Sequence, residues 1–526
     1  MVPADIATAL KTALAGGQTP TTASKDLSFD QLIEELEAYK VSKGNGLTNF
    51  LELSYEELKE RNLTLKREKE NGKSLEYFEE KLTNELRENT GVKAVMLCFC
   101  DLEGKLHILD YDKDFILKSH DNLTFDGSSI TGFTSLGNSD LRLKIDWSSM
   151  RWIPADVFGS GKVLVFGFVC DKDGKWYHSD YRSQLYALGE QLRIEQGVSV
   201  NVAPEVEGFL FEGMDAEQNF VENNGFSYVT KGGYFNALPQ DKLRKFIDRV
   251  AEVQRALGFE NEKDHPEVAP SQFEINFKYT DMVSTADYIL LYKLTARQVA
   301  KSMGCTACFL PKPVAGINGS GMHINMSFMQ EGKNIFYEKT GEYNLSETAH
   351  RFLTGILYNA SGMCLILNPS VNSYRRLDPN FEAPNEIKVS SVDRGSMVRV
   401  PLGNEKASRV EVRTVAPDAN PYMTFYALVS AGLKGIGAEE IEYSTMKSEI
   451  KTRKQQILPI TINEAIEAFE KCSFMEEVLG IENKNKFKEL KVEVAERSPA
   501  ALGTYVKPNE VLFHHETRNQ VLWERF

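Results

Sequence analysis

Residues 318–327 read NGSGMHINMS, a glycine-rich loop that runs into a strand pattern, and other polar motifs of the chain carry groups suited to meet it. The glycines allow close approach of the backbone to a ligand, because glycine has no Cβ and reaches positive φ without strain. The following residues alternate, so His323, Asn325 and Ser327 would share one face of the strand. That face predicts one wall of a site, although a strand with a hydrogen-bonded core histidine would give the same pattern by itself.

Three further segments carry acidic side chains. In residues 203–211, APEVEGFLF, Glu205 and Glu207 are two positions apart and so share a face. Adjacent carboxylates repel, and each raises the pKa of the other unless a cation neutralises them. Glu267 and Glu274 follow in residues 265–277. The other strand, at residues 408–415, places these on one face: Arg409, Glu411 and Arg413. Each face alone would also fit a solvated surface, but the three together predict a site for hard divalent cations, Mg²⁺ or Mn²⁺.

Arginines are concentrated in the same part of the chain as the last of these strands. They are Arg375, Arg376, Arg394, Arg399, Arg409 and Arg413. A guanidinium is always charged and binds phosphate or carboxylate with two parallel hydrogen bonds. Glutamates for metal ions together with arginines for oxyanions are typical of phosphoryl-transfer sites. The sequence contains no GxxxxGK[ST] motif, so a P-loop fold is not expected.

Composition limits the classes of function. The 526 residues carry a formal net charge of −14, which gives no support to a nucleic-acid-binding role. Seven cysteines, an odd number, lie scattered along the chain without a secretory signal pattern, so we expect a cytoplasmic protein. Cys305 and Cys308 form a lone CxxC in an apolar run and are expected to be buried thiols. No apolar run approaches the roughly 20 residues that a membrane helix needs.

The chain divides into three regions by pattern. Residues 1–90 predict a flexible tail followed by helices, with capping-box spacing at Ser28 and Gln31 and again at Ser54 and Glu57. An apolar stripe, Leu75, Phe78, Leu82 and Leu86, follows. This helical extension is either an appendage of the main body or an oligomerisation arm. Residues 91–177 predict a small β domain with hairpins that turn at 103–104 and 173–174, and residues 178–526 predict one large domain of helices and strands.

Between about residues 92 and 433 the chain resembles type I glutamine synthetases. The motifs that carry the resemblance occur in the order FDGSSI, PEVE, KGGYF, the segment from Glu267 to Glu274, PKPVAGINGSGMH, NSYRRL with FEAP, and RVEVRTVAPDANPY. The resemblance implies an α+β protein, with a small β-grasp domain before a large α/β catalytic domain whose antiparallel sheet is funnel-shaped. It also implies two metal ions in each site, Mg²⁺ or Mn²⁺.

The resemblance assigns roles to individual residues. One ion would be held by Glu207, Glu267 and Glu274, and the other by Glu205, His323 and Glu411. ATP would be bound by Arg399, Arg409, Asn325 and Ser327, and the transferred phosphoryl group by Arg394 and Arg413. Glutamate would be held by Arg376 with the Asn318–Gly319 loop. Asp126 and Ser129 would form the ammonium site, with Asp126 as the base, and Glu382 would lie on a flap that shields the intermediate.

The implied reaction is ATP-dependent ligation of ammonia to the γ-carboxylate of glutamate through γ-glutamyl phosphate. Two alternatives remain: a γ-glutamyl ligase for a larger amine, and a catalytically silent structural or regulatory relative. The expected partners are L-glutamate, ammonium and ATP, with no nucleic acid and no membrane. The resemblance further implies a homo-oligomer of stacked rings, a dodecamer, in which neighbouring subunits share each active site.

The chain departs from the family pattern at several points. The family usually has a second histidine where this chain has Asn325, and a tryptophan where it has Phe133. The adenylylation motif expected after residue 435 is absent from the sequence. Neither the first 90 residues nor the C-terminal HHETRNQVLWERF resembles the common pattern. Nucleotide affinity, regulation and assembly are therefore where this chain is expected to differ.

Overall fold

The computed structural model describes residues 53–217, 219, 223, 225–237, 241–377, 383–453 and 456–496. The predicted N-terminal tail, the capping box at Ser28 and the C-terminal HHETRNQVLWERF lie outside these residues. Glu382, the predicted flap residue, also lies outside them. Among the described residues, no helix combines the length and the apolar character needed to cross a membrane.

The described part of the chain begins with two helices, α1 (Tyr55–Glu70) and α2 (Leu75–Glu88). The predicted capping box at the start of α1 is confirmed: Ser54 accepts from the backbone N–H of Glu57, whose carboxylate accepts from Ser54 N–H at 2.7 Å. This reciprocal pair satisfies donors that the first helical turn leaves open. The predicted stripe on α2 is buried at Phe78, Leu82 and Leu86, so the helices pack on the main body.

A five-stranded sheet follows, with strand order β2-β1-β5-β4-β3. Its strands are β1 (Ala94–Cys100), β2 (Leu106–Asp112), β3 (Leu123–Asp126), β4 (Asp140–Trp152) and β5 (Lys162–Cys170). Short helices α3 (Lys113–Ser119) and α4 (Ala155–Phe158) join them. Strands β1 and β5 pair in parallel, and the other neighbours pair in antiparallel fashion.

The two predicted hairpins differ. The turn at 103–104 joins β1 to β2, with Gly104 at φ +99°, as predicted. The turn at 173–174 also forms, and Gly174 N–H donates to Asp171 O at 3.0 Å. The chain beyond it returns along β5, with an antiparallel bridge from Trp176 to Cys170 and a bond from Tyr177 N–H to Val169 O at 2.8 Å, so the predicted hairpin forms but its second arm is only a few residues long.

Both faces of the small sheet are buried, and alternate residues of β1 show which side each one covers. Val95, Leu97 and Phe99 belong to the same hydrophobic cluster as Phe78 and the rest of the helical extension. The intervening residues of β1, Met96, Cys98 and Cys100, belong to the core of the large domain. A strand buried on both faces reads as a continuous apolar run, which is what AVMLCFC shows.

The large domain is built on a ten-stranded sheet with the path β13-β14-β15-β11-β6-β8-β7. Its strands are β6 (Val198–Glu212), β7 (Asn261–Pro266), β8 (Gln272–Phe277), β9 (Thr280–Asp281), β10 (Cys305–Cys308), β11 (Met322–Gln330), β12 (Lys333–Asn334), β13 (Glu386–Ser390), β14 (Ser396–Arg399) and β15 (Val410–Val412). Strands β9 and β10 pair with β6, and β12 pairs with β11. Apart from the parallel pair β13–β14, the described ladders of this sheet are antiparallel.

Helices cover this sheet and form the rest of the core. They are α5 (Tyr181–Gln196), α6 (Lys242–Ala256), α7 (Met282–Ser302), α8 (Glu347–Tyr358), α9 (Ala360–Leu367), α10 (Val371–Arg376), α11 (Pro421–Gly437), α12 (Glu440–Thr452), α13 (Ile462–Lys471) and α14 (Ser473–Glu496). The predicted buried thiols Cys305 and Cys308 lie in β10 and are buried. The predicted fold class, α+β with a small β domain and a large catalytic domain, is confirmed.

Candidate active site

Cross-strand pairing brings the predicted metal ligands to one face of the large sheet. Glu205 on β6 lies opposite His323 on β11, and Glu207 lies opposite Glu274 on β8. Directly opposed residues of a ladder point to the same face, with Cβ atoms about 5 Å apart. Glu411 on β15 takes its place on this face because its Cα partner on β11 is Asn325, two residues beyond His323.

Glu205, His323 and Glu411 form what we call the His323 cluster, in which one ligand atom from each residue lies within 4.8 Å of the others. His323 Nδ1 lies 3.2 Å from Glu205 Oε2 and 4.0 Å from Glu411 Oε1. Burial by itself would raise the pKa of Glu205, but His323, Asn325 and Arg399 outweigh it and hold the pKa at about 2. Glu205 is therefore a carboxylate at neutral pH.

Two arginines neutralise the buried end of the His323 cluster. The side chain of Glu411 has no exposed surface. Arg399 donates to its Oε2 through Nε at 2.7 Å and through Nη2, and Arg413 Nη1 donates to its Oε1. Such charge-assisted pairs are the stronger class of hydrogen bond. This cluster is therefore balanced by fixed cations of the protein.

A second group, here called the His265 cluster, comprises His265, Glu267 and Glu274 with the opposing Glu207. Ligand atoms of the first three lie within 4.8 Å of one another. His265 Nδ1 is 3.4 Å from Glu267, and its Nε2 is 3.5 Å from Glu274. Among the described residues that buried Nε2 has no hydrogen-bond partner. His265 was missed by sequence analysis, although it lies on β7 only two residues before Glu267.

Negative charge in the His265 cluster is not balanced in the same way. Burial raises the pKa of Glu207 well above its usual range, and the charges of Glu274 and Glu267 raise it further. Burial, followed by the charge of Glu274, raises the pKa of Glu267 to about 7. A bound cation would offset both the cost of burial and the repulsion between these carboxylates, so the arrangement favours one.

The donor sets of both clusters fit divalent metal ions. Each offers two carboxylates and an imidazole, and the His265 cluster adds Glu207 and an imidazole nitrogen without a hydrogen-bond partner. Carboxylate-rich sets of this kind suit Mg²⁺ or Mn²⁺. The predicted trio Glu207, Glu267 and Glu274 is thus brought together, with His265 as an addition.

Both clusters open into one cavity of about 450 Å³. The predicted site residues that line it are Glu205, Glu207, Glu267, Glu274, Asn318, Gly319, His323, Arg376, Arg394, Arg399 and Arg413. Tyr234, Lys263 and Gln272 also line it and were not predicted. Lys263 and Gln272 lie on the strands that carry the acidic residues, so strand alternation was the signal that could have found them.

Arg376 is held rigidly at the wall of this cavity. Its guanidinium donates to the backbone carbonyls of Arg413 at 2.8 Å, Thr414 at 3.1 Å and Val415 at 3.2 Å. Burial lowers the pKa of Arg376 to about 10, so it stays charged at neutral pH. A Cβ on Gly321 would lie 2.5 Å from Arg376 Nη2, which explains the glycine next to this guanidinium.

The loop before His323 is also fixed by close backbone packing. A Cβ on Gly319 would lie 2.4 Å from Pro311 O and 3.0 Å from Arg376 Cγ. Gln272 Nε2 donates to Gly319 O at 2.9 Å. The glycine loop therefore lies against both Arg376 and the strand of Glu274.

A second cavity of about 680 Å³ meets the first at Glu205, which lines both. Three of the residues predicted to bind ATP line it: Asn325, Ser327 and Arg409. Asn325 Nδ2 donates to Glu205 Oε1 at 3.2 Å, while its Oδ1 accepts from Arg409 Nε at 2.8 Å. One amide thus joins the second cavity to the His323 cluster. Arg399, also predicted to bind ATP, lines the first cavity instead.

Asp126 and Ser129 lie elsewhere, exposed at the end of β3 and in the turn that follows it, and line neither cavity. Asp126 accepts from the hydroxyls of Ser128 at 2.6 Å and Ser129 at 2.5 Å. The Ser128 bond, followed by that of Ser129, lowers the pKa of Asp126. The structure therefore does not bring the predicted base to the cavity of its own chain.

Comparison with known proteins identifies the family of both domains. The family model for the glutamine synthetase β-grasp domain matches residues 91–172, and the model for the catalytic domain matches residues 178–510. The chain belongs to the glutamine synthetase family. The resemblance on which the residue roles were predicted is thereby confirmed.

Individual relatives agree with the family assignment. The glutamine synthetase of Thermus thermophilus is 36% identical over 405 residues, which cover 74% of this chain and 89% of the relative. That of Clostridium saccharobutylicum is 36% identical over 422 residues, covering 77% and 92%. A cryo-EM structure of Plasmodium falciparum glutamine synthetase has a TM-score of 0.71 at 22% identity, covering 82% of this chain and 97% of that one, and shows the shared fold. A GmaS–ADP complex has a TM-score of 0.68 at 26% identity, covering 82% and 98%.

Proposed function

We propose that the protein ligates ammonia to the γ-carboxylate of L-glutamate at the expense of ATP, giving glutamine, ADP and phosphate. The observation that carries this proposal is the single cavity in which two carboxylate–imidazole clusters face Arg376, Arg394, Arg399 and Arg413. A carboxylate is a poor electrophile, and phosphorylation converts it into an acyl phosphate that an amine can attack. Membership of the family and the two named bacterial relatives support the same reaction.

Substrate glutamate binds in the first cavity. Arg376, fixed by three backbone carbonyls, grips a carboxylate of glutamate beside the Asn318–Gly319 loop. Its preorganisation limits the ordering needed when substrate binds. Asn318 and Gly319 line the same wall, which places the amino-acid end of the substrate away from the second cavity.

ATP occupies the second cavity, with its phosphates directed towards Glu205, where the two cavities meet. Arg409, Asn325 and Ser327 line the nucleotide end. Arg399 contacts the phosphates from the first cavity, and Arg394 and Arg413 stabilise the charge on the transferred phosphoryl group. The GmaS relative, whose solved structure is a complex with ADP, supports a nucleotide on this fold.

Two divalent ions, Mg²⁺ or Mn²⁺, belong to the site. The His323 cluster would hold one beside the ATP phosphates, and the His265 cluster would hold the other beside glutamate. When bound, such ions neutralise phosphate charge and polarise the attacked groups. The residues of the chain keep the ligands in place, since both clusters lie on paired strands of one sheet.

Ammonium binds at Asp126 and Ser129, and Asp126 takes its proton, because ammonium cannot attack while protonated. Glu382, which lies outside the described residues, would shield the acyl phosphate from water. The exposure of Asp126 and its absence from both cavities of its own chain support a site completed by a neighbouring subunit. The assembly is then a homo-oligomer of stacked rings, a dodecamer.

The remaining assignments follow from this function. The chain divides into an extension at 1–90, a β-grasp domain at 91–177 and a catalytic domain at 178–526. The family matches at 91–172 and 178–510 support these limits. The protein acts in the cytoplasm on small molecules, without nucleic acid or membrane.

The reaction is tested with the purified chain, ATP, glutamate and Mg²⁺, by measuring phosphate release with ammonium or with putrescine as the acceptor. We expect phosphate release that depends on glutamate and ammonium, with glutamine as product. Preference for putrescine would indicate a ligase for larger amines, and no release with any acceptor would contradict the proposal. Exchange of oxygen-18 between bridging and non-bridging positions of ATP, dependent on glutamate, would identify the acyl phosphate.

The shared site is tested by mixing subunits. Asp126→Ala and Arg376→Ala each leave a homogeneous ring nearly inactive, since one lacks the base and the other the glutamate clamp. In a random equal mixture, about one site in four joins an intact Asp126 to an intact Arg376, as expected for a closed ring of head-to-tail contacts. Recovery to about that level supports shared sites. No recovery, with mixed rings seen by native mass spectrometry, would show that Asp126 serves its own chain.

A further inference from the structure

The helical extension, α1 and α2, precedes residue 91, where the family match begins, so the family assignment gives it no role. In the structure these helices cover the face of the small sheet that the large domain leaves free. Leu58 and Leu65 of α1 and Phe78 and Leu82 of α2 join Trp152 of β4 in one hydrophobic cluster. The small sheet thus packs between the large domain on one face and the helical extension on the other.

Helix α1 contacts both domains through one buried side chain. Asn62 has no exposed surface. Its Nδ2 donates to Trp152 O at 2.8 Å and to Ala256 O at 2.8 Å, and its Oδ1 accepts from Trp152 N–H at 2.9 Å. Trp152 ends β4 of the small domain, and Ala256 ends α6 of the large domain. A Cβ on Gly258 would lie 2.8 Å from Asn62 Cβ, so the chain after α6 is also closely fitted to this asparagine.

Other side chains of α1 strengthen the same junction. The Tyr55 hydroxyl donates to Asp156 of the small domain at 2.9 Å and accepts from Arg249 of α6 at 2.7 Å. Lys66 donates to Glu260 at 2.5 Å, and Lys69 donates to Ser284 at 2.9 Å. Through these contacts α1 links the small domain to the large domain.

Strand β4 connects α1 to the segment that carries the predicted ammonium-site residues, Asp126 and Ser129. Asp140, at the start of β4, is the Cα partner of Asp126, and Trp152, at its end, is held by Asn62. Near its middle, Asp146 is paired at 2.7 Å with the buried Arg182 of the large domain. A single anchor would let the strand pivot, whereas two anchors set its direction.

The length of β4 makes that direction important. Strand β4 has 13 residues, and its pairing with β5 shifts register between Asp146 and Arg151. Its regular part, from Asp140 to Asp146, spans ~20 Å at about 3.3 Å per residue, so a tilt of about 4° would displace the end at Asp140 by roughly 1.4 Å. A displacement of about 1 Å in a reacting group can lower a rate by about 10²-fold. Small changes at Asn62 can therefore matter at Asp126.

We propose that Asn62 is a positioning residue for the reaction: the helical extension sets the angle at which the small domain presents Asp126 and Ser129, and so sets the use of ammonium. This inference rests on the proposed function. It does not require Asn62 to touch substrate, because the effect passes along β4. Binding of ATP and glutamate, which lies in the large domain, is independent of it.

The test compares two acceptors in the full-length chain. Ammonium must lose a proton before attack, whereas hydroxylamine is largely neutral near neutral pH. Its nitrogen attacks the acyl carbon, phosphate leaves with the carbon–oxygen bond pair, and the surplus proton passes to solvent. For Asn62→Ala we expect KM for ammonium to rise ~10-fold or more. KM for ATP and for glutamate, and turnover with hydroxylamine, should stay within about twofold of wild type.

Controls separate positioning from general damage. Thr64→Ala, on the same helix, removes only a bond to Glu60 O within the helix and should leave all constants unchanged. A purely structural defect would lower turnover with both acceptors equally. Tyr55→Phe keeps the ring against Arg249 and removes the hydroxyl, so a smaller shift in the same direction is expected.

An unchanged ratio of ammonium to hydroxylamine turnover in both soluble variants would overturn the inference. If Asn62→Ala fails to fold, Tyr55→Phe alone decides, by the same ratio. Failure of the proposed function is distinguishable, since the wild-type chain itself would then release no phosphate in response to ammonium.

Discussion

The two metal-binding clusters have similar ligands but opposite electrostatic surroundings. In the His323 cluster, Arg399 and Arg413 pair with Glu411, and the pKa of Glu205 is held at about 2. In the His265 cluster, burial and neighbouring carboxylates raise the pKa of Glu267 to about 7. One cluster therefore carries its counter-charges in the protein, whereas the other depends on a cation from solution.

This difference suggests a division of labour. The arginines beside Glu411 keep the His323 cluster in shape before nucleotide arrives, and they are also placed to receive phosphate charge. The His265 cluster keeps its carboxyls close together in a buried place, so a bound ion would stabilise it. An arrangement of this kind is typical of functional sites, where stability is given up for chemistry.

The largest effect is expected from Glu207→Gln. Loss of one ligand weakens an interaction that supplies several kcal/mol to the reaction, so turnover should fall by ~10²-fold or more. The metal-free variant should nevertheless be at least as stable as wild type, because an amide avoids the free-energy cost of burying an ionisable carboxyl beside Glu274 and Glu267. Steady-state kinetics at limiting Mg²⁺ and urea unfolding measure the two quantities. Wild-type turnover, or a clear loss of stability, would break the comparison.

For Glu411→Gln we expect the metal-free protein to lose stability, in contrast to Glu207→Gln. This substitution leaves Arg399 and Arg413 without the carboxylate they share, and loss of one partner from a buried pair costs about 3 kcal/mol at the lower end of the usual range. The lower end applies because the Arg399 side chain is 30% exposed. Urea unfolding of metal-free protein should show this loss, with Glu207→Gln as the matched control. Equal stability of the two variants would mean that the arginines do not balance the His323 cluster.

The His265 cluster should also contribute a pH-dependent part of the stability. The pKa of Glu267 is raised from 4.5 to about 7, so the folded metal-free protein favours its protonated form. The corresponding stability is fully present below about pH 4.5 and is lost as pH rises through about 7. The difference in unfolding free energy between wild type and Glu267→Gln isolates this contribution. With Mg²⁺ present the difference should favour wild type, because the carboxylate is then a metal ligand that the amide replaces poorly. A difference that is independent of pH without metal would contradict the prediction.

Sequence patterns located most of this site because strand alternation is local. Glu205 and Glu207, or His323 and Asn325, share a face whatever lies beside them. His265 was missed because NEKDHP reads as a polar segment that ends in proline. Its place in the cluster depends on Glu274, its partner across the ladder. Register between strands is set by the whole sheet and cannot be read from one segment.

The small domain shows the same limit at the level of packing. The apolar runs AVMLCFC and KVLVFGFVC predict strands buried on both faces, but they do not say what covers each face. The extension was recognised as helical from its capping box and stripe. Its contact with Trp152 and Ala256 through Asn62 depends on three distant segments and had no sequence signal.

The smallest effect is expected at Asn325, which links the two cavities. Its amide donates to Glu205 and accepts from Arg409, two roles that a neutral imidazole can also fill but with different spacing. One hydrogen bond contributes about 0.5–1.5 kcal/mol, so Asn325→His should change KM for ATP by roughly 2- to 10-fold. KM for glutamate should hardly change, because the hydrogen bonds of Asn325 go to Glu205 and Arg409 and not to Arg376 or the glycine loop. Steady-state kinetics with each substrate varied in turn measure the two KM values. Equal shifts in KM for ATP and KM for glutamate would mean that Asn325 shapes the sheet as a whole. The His323 cluster would then not be an independently balanced unit.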